Sequence, residues 1–401
     1  MSNLSSLGKE GLLPQEEMLE VGRKKSSLFI GLPKEKAFQE NRIAIVPDAV
    51  QLLISHGNEV WVESGAGDNA NFTDNEYSEA GAKIVYDTKE VYQADIIMKV
   101  EPPTMEEIDL MKGRQTLVSA LQITTQSREY IEKLLDKKIT ALAFEYIQDE
   151  SGFMPIIRSM SEIAGNTSLL IASEYLSNAN NGKGLMLGGI AGVTPTQVVI
   201  IGAGTVGECA ARAAMGLGAS VKVFDNSLSK LRRLQNDVNT RVYTSVIQPK
   251  VLSKALRRAD VVIGALRSND KRTPCVVSDE MVEAMKDGSV IVDVSIDQGG
   301  CVETSQVTNH ASPVFTKYGV VHYCVPNIPS RVARTASFAL SNLLTPTLLR
   351  ISYEGGLENV LRRDVGLRHG VYLCHGILTH SMVGDWFEMP HKNIDLLIAS
   401  L

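Results

Sequence analysis

Short, almost continuously apolar runs alternate with amphipathic segments along most of this 401-residue chain, and that alternation narrows the choice of fold more than any other feature. LFIGL, EVWVES, KIVY, ADIIMKV, TLVSAL and ITALAFE read as strands, interleaved with helical PDAVQLLISHG, DNEYSEAGA, TMEEIDLMK and SREYIEKLLDKK. A strand that is apolar on both faces must be covered on both faces. The pattern therefore predicts an α/β architecture, an open and mostly parallel sheet with helices on each side. After a glycine-rich stretch the pattern starts again with QVVIIG, SVKVFD, RVYTSV, DVVIGAL, SVIVDVS and VVHYCV. Two sheets suit this length better than one. Helical runs near 160–177 and 334–350 are expected to cross between the two units.

The strand QVVIIG runs into Gly202-Ala203-Gly204-Thr205-Val206-Gly207, which opens a helix. In that setting Gly202 permits the tight turn, Gly204 lets the backbone approach a pyrophosphate, and Gly207 allows close packing of helix on strand. The helix N-terminus adds free N–H groups and a partial positive charge. The acid expected about 20 residues further on, where it accepts the ribose hydroxyls of NAD and repels the 2′-phosphate of NADP, is Asp225. Lys230 and Arg232 stand close enough in sequence to soften that exclusion, or to be solvated helix charges. The expectation is two Rossmann-like domains with open, mostly parallel sheets. Residues 159–335 would bind NAD, residues 28–158 with 336–401 would bind substrate, and residues 1–27 would be an extension.

Polar residues at the carboxyl ends of strands matter most in such sheets, because ligands bind there. Lys99 ends ADIIMKV, and Arg42 follows the PKEK turn after the first strand. Both suit a substrate carboxylate, Arg42 by a two-pronged contact, and the alternative for each is a surface ion pair. Asp297, after the strand SVIVDVS and before Gly299-Gly300, is either an acid/base at the mouth of the dinucleotide site or a turn cap. Asp293 reads as a backbone cap and the apolar-flanked His322 as a core histidine. None of the seven histidines has metal-ligand spacing, so no metal is expected.

The charge count excludes some classes. Lys and Arg number 40 against 46 Asp and Glu, a net −6, which argues against nucleic acid or an anionic membrane as partner. The most apolar stretch, GLMLGGIAGVTPTQVVIIGAG, is broken by Pro195 and Gln197 and does not read as a membrane span. Five scattered cysteines without a C-x-x-C pair fit reduced thiols in the cytoplasm, and the first 25 or so residues lack a secretory core.

PKE with ENRIAIVP, then VESGAG, IIMKV, SMSEIAG, VVIIGAGTVG, GSVIVDVSIDQGG and VVHYCVPNIP stand in the order found in alanine dehydrogenases. Over roughly residues 28–350 the chain resembles that family, which also includes the alpha subunit of proton-translocating nicotinamide nucleotide transhydrogenase. The resemblance implies NAD-linked oxidative deamination of L-alanine to pyruvate and ammonia, and the reverse reductive amination, with the two Rossmann-like domains closing an interdomain cleft around NAD. It implies that Arg42 and Lys99 hold the substrate's carboxylate and carbonyl oxygen and that Asp297 is the catalytic aspartate. Ser161, Gly202, Gly204, Val206, Gly207, Asp225, Lys230, Leu266, Ile296, Asp297, Val325 and Asn327 would line NAD. A homo-oligomer, hexamer or dimer, is implied on the same footing. One position departs: Gln122, in SALQITTQ, stands where the family carries a catalytic histidine. Glutamine donates a hydrogen bond but does not titrate. Either Asp297 carries the acid/base work alone, or the substrate has shifted to another amino acid, or the chain binds NAD without turnover.

Overall fold

The computed structural model describes residues 26–238, 241–268 and 272–400, so nearly all of the 1–27 extension lies outside the described residues. In chain order the strands are β1 (Phe29–Leu32), β2 (Glu59–Glu63), β3 (Lys83–Val85), β4 (Ile96–Met98), β5 (Thr116–Ser119) and β6 (Thr140–Ala143). Next come β7 (Gln197–Ile201), β8 (Ser220–Phe224), β9 (Tyr243–Ser245), β10 (Val261–Gly264), β11 (Val290–Asp293), β12 (Val314–Lys317) and β13 (Val320–Tyr323). Last are β14 (Val371–Cys374) and β15 (Ile377–Leu378).

They form two sheets, ordered β15-β14-β6-β5-β4-β1-β2-β3 and β12-β13-β11-β10-β7-β8-β9. The six strands β1 to β6 pair in parallel, as do β7 to β11 with β13. The antiparallel members are edge additions: β12 on β13, and the hairpin β14–β15 on β6. Read from β3 and from β9, both sheets run in the doubly wound order, reversing direction at β1/β4 and at β7/β10. Ligands in this architecture bind beyond the strand ends at such a reversal.

Alternate strand residues feed opposite cores, which is the physical meaning of strands apolar on both faces. In β4, Ile96 and Met98 join one core while Ile97 joins the other. In β7, Val198 and Ile200 face one way and Val199 and Ile201 the other.

Four helices position the site: α1 (Pro155–Leu176), α2 (Thr205–Gly216), α3 (Leu228–Asp237) and α4 (Ala333–Tyr353). Helices α1 and α4 are the expected crossings, and α1 packs on both α2 and α4. Small residues make that contact close, since a Cβ on Gly165 of α1 would sit 2.5 Å from the Val206 carbonyl oxygen. No helix among the described residues is long and apolar enough to cross a membrane.

Candidate active site

The glycine turn after β7 is shaped by backbone contacts. Gly202 has φ +115°, a conformation that strains any L side chain, and its own Cβ would run into the Ala265 carbonyl. A Cβ on Gly207 would strike the Gly202 carbonyl oxygen, so α2 leaves the turn at its closest approach to β7. Gly204, the residue before α2, faces open space, with nothing within 4 Å of its Cβ position, and no side chain caps the helix. Its first N–H groups are thus left for an anion, and the cradle fits the pyrophosphate of a dinucleotide. Asp225 directly follows β8 and is buried, its carboxylate accepting from the Ala203 N–H at 2.8 Å and the Ser227 N–H at 2.7 Å. It therefore holds the turn while retaining lone pairs for ribose hydroxyls.

Leu266 follows β10 beside Gly202, and half-buried Ser161 lies one turn before Gly165 on α1. Lys230 and Arg232 are exposed on α3. The basic residue that does reach the turn is Arg233, whose Nη2 donates to the Ala203 carbonyl at 3.2 Å. Sequence spacing could not single it out from its two basic neighbours.

The residues expected to hold substrate gather beyond the tips of β1, β4 and β5. Arg42 is buried and donates to Glu40 through Nε at 2.8 Å and Nη2 at 2.5 Å. The same Nη2 lies 3.4 Å from Glu101. Lys99, only 1% exposed, lies 3.1 Å from Glu35 and 3.2 Å from Glu107. Burial opposes its charge, but the two glutamates outweigh burial and raise its pKa. Neither cation is a surface ion pair, and neither is unpaired. The sequence pointed to the cations and passed over the acids that hold them: Glu35, Glu40, Glu101 and Glu107. The available signal was an acid within two residues of Arg42 and of Lys99.

Gln122 sits just past β5 in the left-handed region, φ 48°, with its side chain exposed. Its Nε2 donates to Glu101, and its backbone N–H donates to Glu145 at 3.1 Å.

Asp297 lies in the turn Val294–Gln298 after β11, between buried Ile296 and the left-handed Gly299. Its residue is open to solvent, yet protein surrounds the carboxyl closely enough that burial pushes its pKa up to about 6. The Asn327 N–H, which donates to it at 3.2 Å, and the charge of Arg42 oppose that shift. Asp293 does cap backbone, taking the Ser295 and Cys301 N–H groups. His322 is a core residue bonded to Thr304 and the Val320 carbonyl.

Asn327 ties the two sides together. Beyond its N–H to Asp297, its Nδ2 donates to Glu40 at 2.7 Å. One run of polar contacts thus leads from Asp297 through Asn327, Glu40 and Arg42 to Glu101 and Gln122. Val325 lies buried just before it. A hollow of about 340 Å³ lined by Phe38, Gln39, His310 and Asn327 borders this run. A larger one, about 700 Å³, opens at the amino ends of β8 and β9, the wrong end of the sheet for a ligand in this architecture.

Both halves of the chain match known families. Residues 31–164 match the alanine dehydrogenase/PNT N-terminal domain and residues 168–381 the corresponding C-terminal domain. The chain is 39% identical to an alanine dehydrogenase of Methanococcus maripaludis, over 91% of this chain and 98% of that one. It is also 39% identical to an alanine dehydrogenase of Bacillus subtilis, over 89% and 94%. Among solved structures, an L-alanine dehydrogenase superposes with a TM-score of 0.83 at 38% identity, covering 90% of this chain and 99% of that one. A transhydrogenase from Sinorhizobium meliloti, 23% identical, shares the fold with a TM-score of 0.74 over 88% and 99%. The two switch-point sheets, the glycine cradle and the paired cations therefore sit in a chain that belongs to the alanine dehydrogenase/PNT family.

Proposed function

We propose that this protein is an NAD-dependent alanine dehydrogenase, converting L-alanine to pyruvate and ammonia and running the reverse reductive amination. The observation that carries this reading is the polar run through Asn327, which joins Asp297, in the sheet that bears the dinucleotide cradle, to the Arg42 cluster. In this reading residues 159–335 form the dinucleotide domain, and residues 28–158 with 336–401 the substrate domain. NAD, held by the glycine turn, Asp225 and their neighbours, supplies the acceptor for the hydride from the substrate Cα.

The chain's own residues do the rest. Arg42 and Lys99 orient the carboxylate and, in the keto acid, the carbonyl oxygen, so that the Cα hydrogen faces the acceptor; positioning of this kind lowers a barrier steeply. Asp297 takes a proton from the water that attacks the resulting imine and later returns it to the departing nitrogen. Gln122 orients by hydrogen bonding alone. The scattered cysteines support a cytoplasmic protein, and the family likeness supports a homo-oligomer, hexamer or dimer.

One observation favours a second reading, a dehydrogenase for another amino acid: Gln122 and Glu101 give the pocket an amide and an extra carboxylate. A panel of L-amino acids and 2-oxo acids, assayed with NAD and with NADP for change in reduced nicotinamide, separates the two. Alanine with NAD is expected to lead the panel. Activity on ornithine or lysine without alanine, or NAD binding with no turnover, would overturn the assignment.

A further inference from the structure

At the tips of β1 and β4, four carboxylates meet two cations, and the pairing is uneven. Glu40 takes Arg42 on two prongs. Glu35 and Glu107 share Lys99, and both have backbone duties: Glu35 accepts the Val100 N–H, and Glu107 closes a capping box with Thr104. Glu101 is left over. Its carboxyl lies 3.4 Å from Arg42, accepts from the Gln122 amide and stands against the carboxyl of Glu40. That location, between Arg42 and Gln122, is the one an amino acid's carboxylate would claim. Two ionised carboxylates do not share such a site.

We propose that Glu101 is the acid/base that takes the proton of the substrate's α-ammonium, work that Gln122 cannot do. This rests on the amino-acid dehydrogenase reading above. In deamination one N–H bond of the ammonium breaks and one O–H bond forms on Glu101. The freed nitrogen lone pair then supports departure of hydride from Cα to the dinucleotide, so Cα is oxidised and the nicotinamide is reduced. The substrate enters as a zwitterion, so the proton transfer leaves the total charge of the pocket unchanged. It also neutralises the carboxyl that would repel the substrate carboxylate beside Arg42, while Glu40 keeps its hold on the guanidinium. In amination Glu101 returns the proton to the new amine.

The charged groups facing Glu101 are Arg42, Glu40 and Glu35 from the segment after β1, and Lys99 from the end of β4; the tip of β5 contributes the neutral Gln122. Burial and then Glu40 make Glu101 hold its proton more tightly than an ordinary carboxylate, against the pull of Arg42.

Glu101→Gln and Glu101→Asp test this in the full-length protein. For the Gln variant, kcat/KM on alanine is expected to fall about 10²–10⁴-fold, the usual worth of a general base. Its upper ascending ionisation in the pH profile should vanish, while NADH affinity by fluorescence titration stays put. The Asp variant should recover part of the rate with that ionisation present. Pyruvate binding to the NADH-loaded protein, followed calorimetrically at alkaline pH in buffers of different ionisation heat, should draw in about one proton for the wild type and none for Glu101→Gln. A Gln variant within a few-fold of an alanine-active wild type, with the ionisation intact or with equal proton uptake, sinks Glu101 alone. A wild type that turns over neither alanine nor pyruvate sinks the dehydrogenase reading, and this step falls with it.

Discussion

Asp297, the acid/base of the proposed reaction, carries a carboxyl whose ionisation the folded state disfavours. Its folded-state pKa of about 6 lies above the ordinary 3.8. The native state therefore binds this proton more tightly than the unfolded chain, so the group favours folding below the unfolded value. That contribution is lost as pH rises through about 6. Above that pH the residue is ionised and ready to accept a proton from water. Asp297→Asn is thus expected to cut kcat by about 10²-fold or more while leaving thermal stability at neutral pH equal or higher. Steady-state rates and a melting curve check both halves; turnover near wild type would remove Asp297 from the chemistry. Lys99 and Asp297 were legible as candidates because each lies shortly past a strand end, and Arg42 because it follows the turn after the first strand. Glu101 was not, because which of several nearby acids is held least tightly by the cations is decided by side-chain geometry across three strands.

The segment carrying Arg42 hangs from one side of an element that the sequence marks only as a helix. Three hydroxyls hold its backbone: Ser330 just before α4 accepts the Asn41 N–H at 2.9 Å, Ser337 the Ile43 N–H at 2.9 Å, and Ser341 the Val46 N–H at 3.2 Å. Ser337 and Ser341 are buried, so removing either hydroxyl leaves a buried donor without a partner, at a cost of about 1–3 kcal/mol. Ser337→Ala is expected to lower stability by that amount in denaturant titration and to raise KM for alanine with KM for NAD unchanged. Equal rises in both constants would contradict the suspension of Arg42 from α4. The helix itself was readable from its apolar run, but serines at helical spacing look the same whether they face solvent or a neighbouring backbone. Likewise the β14–β15 hairpin escaped notice because two short strands add little pattern, and β14 pairs with β6, which lies far earlier in the chain.

At the scale of the molecule there are two mostly parallel sheets of the same doubly wound order, and the presence of two such α/β units followed from strand alternation and a glycine turn. The net charge of −6 does not set the field felt by a small anion, because the local charges are buried and paired. Salt screens exposed charges strongly and buried pairs weakly. Raising ionic strength from about 0.05 to 0.5 M is therefore expected to change KM for alanine less than about twofold. A steep salt dependence in steady-state assays would place the anchoring charges at the surface.

Asn327 offers donors in both directions, a backbone N–H to Asp297 and a side-chain amide to Glu40. An amide of this kind transmits position and blocks protons, since it has no site to release one and pick up another. It acts as an electrical insulator between two acids. The proton held by Asp297 and those shared around Arg42 must each exchange with solvent or substrate on its own side, and the two halves of the chemistry can be tuned without short-circuiting each other.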